Sequence, residues 1–221
     1  MTTRKASVLV SSGPQRIQLR TACKLITDGT HQTPQYLATG VPFISTANLV
    51  PHGRDFDFSK YSRFISRDSH DQLIKRTGPR KGDVLVSKCG TIGVAQVVRV
   101  DYDFSIFVGL MLVRTKPNVL DPKYLEWYLD QPCVKSLLDD ISCGSSRATL
   151  TVKALGDFEI AVPPLRDQKH IAGKLDEHMA ALANAQAALA AQREAAIALR
   201  SAVLRTALDP ATHPRLANHG T

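Results

Sequence analysis

The stretch DQKHIAGKLDEHMAALANAQAALAAQREAAIALRSAVLRTAL, from Asp167 to Leu208, decides the organisation of this chain. It follows Val162-Pro163-Pro164, where the prolines hold the backbone extended, and it stops at Asp209-Pro210. It has no proline and no glycine after Gly173, and it is rich in alanine, the best helix former. The composition predicts one continuous helix of about 60 Å, at about 1.5 Å per residue.

Apolar residues recur along this helix at intervals of seven, the repeat of a coiled coil. They form two adjacent rows: Leu175, Leu182, Leu189, Ala196 and Val203 in one, and Ala183, Ala190, Ile197 and Leu204 in the other. A helix lying on its own domain is the alternative, but this helix exceeds an ordinary domain in length. We therefore expect a second helix from another chain to cover an interface formed by Leu175, Leu182, Leu189, Ile197, Val203 and Leu204.

Size and charge indicate a basic globular domain in front of the helix. The chain has 221 residues, 43% of them hydrophobic, which is enough for one core in addition to the helix. The net charge is +8, and residues 1–164 carry 21 Lys and Arg against 15 Asp and Glu. Because the basic excess lies in the globular part, nucleic acid is the first partner to consider.

Other classes of protein have little support in the sequence. Cys23, Cys89, Cys133 and Cys143 form no C-x-x-C pair and no cluster with histidine, which predicts reduced, mostly buried thiols, no metal site and a cytoplasmic location. No apolar run approaches a signal core or a membrane span. No P-loop, G-x-S-x-G, H-E-x-x-H or amino-methyltransferase tetrad occurs, so we expect neither catalysis by this chain nor a nucleotide site with a phosphate-binding loop.

The pattern of elements predicts a mixed α+β domain. After an arm over residues 1–14, we expect a short helix through Leu19, Ala22, Cys23 and Ile26, and a polar loop from Thr30 to Pro34. Strands are expected at 41–45, at 84–87 and 94–100 as a hairpin around the loop 88–93, at 104–114 and at 158–162. Helices are expected from Pro122 and over 134–141. The domain thus spans 15–164, the helix 165–208 and a flexible tail 209–221.

A basic segment with interleaved aromatic residues extends from Arg54 to Lys88. Its cations outnumber its five aspartates, and Tyr61 and Phe64 lie between them in sequence. The cations are Arg54, Lys60, Arg63, Arg67, Lys75, Arg76, Arg80, Lys81 and Lys88. Charge with aromatics is typical of a nucleic-acid-binding surface. A solvated surface over core aromatics is the alternative for each residue taken alone.

Several stretches, in their order and spacing, resemble one family, the specificity subunits of type I restriction-modification enzymes. They are ITDGTHQTP (26–34), GVPFI (40–44), KGDVL (81–85), KCGTIG (88–93), GSS (144–146) and IAVPPL (160–165), with Gln168 and Ile171. The resemblance implies a target recognition domain followed by a long helix. Full-length members carry two such units, which read the halves of a gapped DNA site, and their long helices pair antiparallel. This sequence carries one unit.

The resemblance also implies the partners. Methylation and cleavage belong to other subunits: a modification subunit that uses S-adenosylmethionine, and through it a restriction subunit. Candidate DNA contacts, chosen for hydrogen-bonding or cationic side chains in loops, are Thr30, His31, Gln32, Lys88, Thr91, Ser145, Ser146 and Arg147, with Arg54 and Arg63 as phosphate clamps.

Four alternatives remain open at this level. The chain could be a homodimer that reads a gapped palindrome in double-stranded DNA, or one half of a split or truncated specificity subunit. It could also be a coiled-coil adaptor whose basic domain binds an acidic protein. An enzyme fragment whose catalytic half is encoded elsewhere is a further possibility.

Overall fold

The computed structural model describes residues 14–53, 55–59, 61–142 and 148–208. The chain divides into two compact units after Gly173, within the long C-terminal helix. The first unit contains the sheets and the shorter helices. The second unit contains the rest of the long helix. The predicted fold class, an α+β domain followed by a long helix, is confirmed.

A four-stranded antiparallel sheet forms the centre of the first unit. Its strands are β2 (Cys23–Asp28), β8 (Leu110–Thr115), β5 (Val84–Ser87) and β6 (Ala95–Val97), in the order β2-β8-β5-β6. All four residues of β5 are buried, because both faces of the sheet are covered. Val84 and Val86 belong to one core cluster and Leu85 to another.

Two smaller sheets flank this centre. In one, β3 (Val41–Ile44) pairs antiparallel with β4 (Phe64–Ile65) and parallel with β7 (Ser105–Ile106). In the other, β1 (Gln15–Gln18) pairs antiparallel with β9 (Glu159–Val162). The β1–β9 pair returns the start of the domain to the segment that leads into the long helix.

The shorter helices begin at side-chain caps or prolines. They are α1 (Arg67–Thr77), α2 (Pro122–Asp130), α3 (Pro132–Asp140) and α4 (Val152–Asp157). Ser66, Asp121 and Thr151 each accept a hydrogen bond from a backbone N–H in the first turn of α1, α2 and α4. Leu125, Leu129, Val134, Leu138 and Leu155 pack from α2, α3 and α4 onto one face of the central sheet.

The long helix α5 (Leu165–Leu208) is continuous over 44 residues, or about 66 Å. In its first turns Gln168 and Ala172 are buried. Further along, the apolar side chains of the predicted interface are exposed in the single chain: Leu182, Leu189, Ile197, Val203 and Leu204. Leu175 is half-buried.

Two local predictions are wrong. Residues 19–26 are not a helix, because Leu19–Ala22 is a 3-10 turn and the chain then enters β2, which pairs with β8. The expected strand 104–114 is two strands in different sheets, since the chain turns between β7 and β8. Two helices, α1 and α4, were not anticipated.

The burial of the cysteine thiols agrees only in part with the prediction. Cys23, Cys89 and Cys133 are free thiols, but only Cys23 is buried, and Cys133 is exposed. Burial raises the pKa of Cys23 to about 12, so this thiol is inert at neutral pH. Cys143, most of the expected arm over 1–14, and the tail 209–221 lie outside the described residues.

Candidate nucleic-acid interface

An acid–base cluster joins two loops that are far apart in sequence. Asp28 ends β2 and Lys88 follows β5. The Oδ2 atom of Asp28 accepts a hydrogen bond from Lys88 Nζ at 2.9 Å and lies 3.0 Å from His31 Nε2. Lys88 and Asp28 are each 12% exposed at the side chain, whereas His31 is 63% exposed. The cluster therefore holds His31 through the Nε2 atom of its ring and leaves the rest of the imidazole exposed.

The protonation state of this cluster follows from its surroundings. Burial acts to raise the pKa of Asp28, but the hydrogen bonds and charges of Lys88 and His31 outweigh burial and hold it below its ordinary value. Asp28 is thus ionised at neutral pH. Its carboxylate can orient the two cationic or hydrogen-bonding side chains without leaving a buried charge uncompensated.

The loop 30–32 is held against the turn between β7 and β8. Gly29 N donates to Leu110 O at 2.9 Å, and Thr30 N donates to Ile106 O at 3.2 Å. An added Cβ at Gly29 would clash with the backbone of Phe107, so this close approach requires glycine. Thr30 Oγ1 accepts from Gln32 N at 3.1 Å, which fixes the turn and leaves the side chains of His31 and Gln32 exposed.

The glycine-bearing loop after β5 meets a third segment. Lys88 O accepts a hydrogen bond from Leu150 N at 2.9 Å, and Cys89 forms an antiparallel bridge with Thr149. Thr91 is exposed in the same loop. Three segments therefore converge: residues 28–32, 88–91 and 148–150. We call them the loop cluster.

Arg63 occupies a separate site beside two tyrosines. Its guanidinium carbon lies 4.2 Å from the ring centroid of Tyr36 and 4.4 Å from that of Tyr61. Tyr36 packs on Phe43, with ring centroids 5.8 Å apart, and Phe43 packs on Phe107 at 6.0 Å. Phe107 in turn bridges to Thr30. A chain of contacts thus connects Arg63 with the loop cluster.

The expected basic patch from Arg54 to Lys88 is divided by carboxylates that other segments bring to it. Arg67 pairs with Asp103 at 2.7 Å, and Lys81 pairs with Asp101 at 2.7 Å. Lys88 pairs with Asp28. Several of the predicted cations are therefore already in ion pairs, which lowers their availability to phosphate.

The structure brings some of the predicted DNA contacts together. Thr30, His31, Gln32, Lys88 and Thr91 lie in the loop cluster, and Arg63 lies outside it. Arg54, Ser145, Ser146 and Arg147 lie outside the described residues, although residues 148–150, which follow the last three, contact Lys88 and Cys89.

Sequence reasoning missed two members of the site, Asp28 and Tyr36. Asp28 could have been found from its position, since it lies at the end of a strand and three residues before His31. Tyr36 had no local signal, since its contact with Arg63 depends on tertiary pairing.

Two further properties concern the described part of the chain. Its His, Cys, Asp and Glu residues form no group of three or more that could hold a metal ion. None of its helices has both the length and the hydrophobicity needed to cross a membrane.

Comparisons with known proteins agree on one family. The model of the type I restriction modification DNA specificity domain matches residues 30–191, more than half of the chain. The type I restriction enzyme EcoBI specificity subunit of Escherichia coli is 28% identical over 115 residues, which are 52% of this chain and 24% of that protein.

Solved structures share the fold. One solved structure comes from a study of complex assembly and conformational transition of the type I R-M system. It has a TM-score of 0.66 and 22% identity to the present chain, and the match covers 92% of the present chain and 48% of the solved chain. The HsdS subunit from Thermoanaerobacter tengcongensis has a TM-score of 0.63 and 22% identity, over 91% and 46%. The present chain thus spans less than half the length of these relatives.

Proposed function

The chain belongs to the family of type I restriction modification DNA specificity domains, and from this we propose that it recognises a specific sequence in double-stranded DNA for a restriction-modification complex. The observation that carries the proposal is the loop cluster. Segments from three parts of the chain meet there, and they present hydroxyl, imidazole, amide and ammonium groups at one place. Such groups are the donors and acceptors that read base edges.

In this proposal the residues divide by role. Thr30, His31, Gln32 and Thr91 contact base edges, together with Ser145, Ser146 and Arg147. Lys88 is paired with Asp28 and through that carboxylate holds His31 in place. Arg54 contacts the phosphate backbone, while the surroundings of Arg63 favour a more specific contact. The chain itself performs no catalysis and binds no cofactor, and a modification subunit supplies the methyl transfer.

We further propose that two copies of the chain act together through α5. The exposed apolar rows of this helix are a surface that a second identical helix can cover. The modification subunit, and through it the restriction subunit, joins this dimer. The second candidate is one half of a split specificity subunit, a possibility supported by the share of the solved relatives that this chain covers.

The test determines which DNA motif is methylated in cells that express the chain with its modification subunit. Replacing residues 30–32 with Ala and Gly should change or relax the motif, at about 1–3 kcal/mol for each lost base contact. Replacement of the exposed Lys153, on α4, by Ala is a control that should leave the motif intact. An unchanged motif after exchange of both 30–32 and 145–147 would contradict the proposal.

A further inference from the structure

Arg63 differs from several other cations of the segment 54–88 because it has no anionic partner among the residues that the structure describes. Arg67, Lys81 and Lys88 each pair with a carboxylate. In the part of the chain that the structure describes, no carboxylate and no hydrogen-bond acceptor engages the Arg63 guanidinium. The side chain is nevertheless half-buried against two aromatic rings. A positive charge that is held in a fixed place, with no counter-ion in the described ranges, is suited to an external acceptor.

The backbone around Arg63 is fixed by neighbouring strands. Phe43 N donates to Arg63 O at 2.9 Å, and Leu37 N donates to Phe64 O at 2.9 Å. These bonds set the segment of Tyr36 beside that of Arg63. Tyr36 is further held by its ring contact with Phe43. Tyr36, one of the two rings beside the guanidinium, is therefore held by residues of β3 and β4.

The second aromatic ring is also anchored. Asn48 is fully buried, and its Nδ2 donates to Tyr61 O at 2.6 Å and to Asp57 O at 2.8 Å. Its Oδ1 accepts from Ser45 N at 2.9 Å. Asn48 thus fixes the backbone of Tyr61, and the ring is held beside Arg63.

We propose that Arg63, positioned by Tyr36 and Tyr61, reads a guanine base and is not a simple phosphate clamp. This inference rests on the proposed function and deepens it. Stacking on aromatic rings satisfies the faces of a guanidinium and leaves its N–H edges as a planar fork. A fork matches the paired N7 and O6 acceptors of guanine in the major groove, the commonest specific contact of arginine.

The argument against a phosphate clamp is physical. A phosphate contact needs positive charge but little orientation, and lysine serves it as a point charge. Holding the guanidinium between tyrosines lowers the loss of side-chain freedom on binding, which favours a geometrically demanding acceptor. Arg63 therefore serves specificity, and Tyr36 and Tyr61 act as positioning residues.

The experiment selects binding sites from a pool of random duplex DNA with the full chain and with variants. We expect the wild type to select a motif that contains guanine. Arg63→Lys keeps the charge but loses the fork, so preference for one guanine should fall about 10- to 100-fold. Affinity for duplexes without the motif, and the dependence of that affinity on salt, should stay unchanged.

Variants of the tyrosines separate positioning from folding. Tyr36→Leu and Tyr61→Leu should lose preference at the same guanine, whereas Tyr36→Phe and Tyr61→Phe retain the ring and should keep it. Placing 7-deazaguanine at that position should weaken the wild type more than Arg63→Lys, because the guanidinium fork uses N7 and O6 together. Thermal unfolding of each variant checks that it is folded.

Three results would overturn the inference. One is a wild-type motif without guanine, and another is an Arg63→Lys motif identical to that of the wild type. The third is a uniform loss of affinity for all duplexes in Arg63→Gln, with a salt slope lower by about one and wild-type affinity in Arg63→Lys, which identifies a phosphate contact. If the wild type selects no motif at all, the proposed function fails as well.

Discussion

At the scale of the residue, the carboxylate of Glu126 joins three segments of the domain. It is fully buried on α2 and receives Arg99 Nη2 at 2.6 Å, Val97 N at 2.9 Å and His52 N at 3.3 Å. Burial acts to raise its pKa, but the hydrogen bonds of His52, Arg99 and Val97 outweigh burial and lower it to about 2. The ion pair thus ties the turn around His52 and the end of β6 to α2.

Replacing Glu126 with Gln should destabilise the domain by about 2–3 kcal/mol, because Arg99 loses its buried counter-ion. The matched control is Asp101→Asn, which removes the partner of Lys81 from an exposed ion pair. This control should change the free energy of unfolding by less than about 0.5 kcal/mol. Urea unfolding at neutral pH measures both. Equal effects of the two substitutions would show that burial of the pair has no consequence for stability.

Glu126 also predicts how stability depends on acid. A carboxyl group whose folded-state pKa is lowered contributes stability that is present above its unfolded-state pKa, near 4.5, and that is lost as the pH falls towards about 2. The wild type should therefore lose stability over this range. Glu126→Gln should lose less over the same range when both are followed by urea unfolding. If the free energies of unfolding of the two proteins fell in parallel with pH, the lowered pKa of Glu126 would be contradicted.

At the scale of the element, Gln168 fixes the first turns of α5 to the domain. Its side chain is fully buried. Oε1 accepts from Asp121 N at 2.8 Å, and Nε2 donates to Val119 O and Pro163 O, each at 2.8 Å. One amide therefore satisfies backbone groups at the start of α2 and at the chain entry to α5.

Gln168→Ala should lower the free energy of unfolding by about 2–3 kcal/mol, since it leaves buried donors and acceptors without partners. Gln192→Ala, at an exposed position of the same helix outside its apolar rows, is the control and should be neutral or slightly stabilising because Ala favours helix. If the dependence of the unfolding free energy on denaturant concentration is unchanged, only stability has changed. A Gln168→Ala variant as stable as Gln192→Ala would mean that water replaces all three bonds.

The elements that sequence predicted well are those with strong local signals. The turn Lys81-Gly82-Asp83 and the strand after it, and the helix after Pro164, are where they were expected. The helix predicted over 19–26 failed because a 3-10 turn followed by a strand places Leu19, Ala22 and Cys23 in the core at the spacing of a helix. Only the pairing of β2 with β8, which is not visible in the local sequence, distinguishes this arrangement from a helix.

The candidate site was predictable in part for the same reason. Polar residues in glycine-bearing loops identified the 30–32 and 88–91 segments. No local pattern relates Asp28 to Lys88, 60 residues away, or Tyr36 to Arg63, because sheet pairing brings each pair together. The unpaired state of Arg63 likewise depends on where the carboxylates of other segments lie.

At the scale of the whole molecule, the apolar rows of α5 set the expected assembly. In the single chain Leu189 is 67% exposed and Leu182 is 49% exposed, so a partner helix would remove substantial apolar surface from water. An interface between two identical helices that uses the same rows on both is closed by a two-fold axis, and where that axis is perpendicular to the helices the pairing is antiparallel. Two identical readers related by that axis recognise an inverted repeat with a fixed gap.

Leu182→Asp with Leu189→Asp should therefore convert a dimer into monomers, because the substitutions place charges in the apolar rows. The control is Asn184→Asp with Ala191→Asp. Each control position lies two residues further on, about 200° around the helix at 3.6 residues per turn, so the same charges should leave the dimer intact. Light scattering at tens of micromolar measures the mass, and the methylated motif reports the symmetry. A wild-type monomer, or a motif with two unrelated halves, would favour one half of a split heterodimer, since identical readers cannot recognise different half-sites.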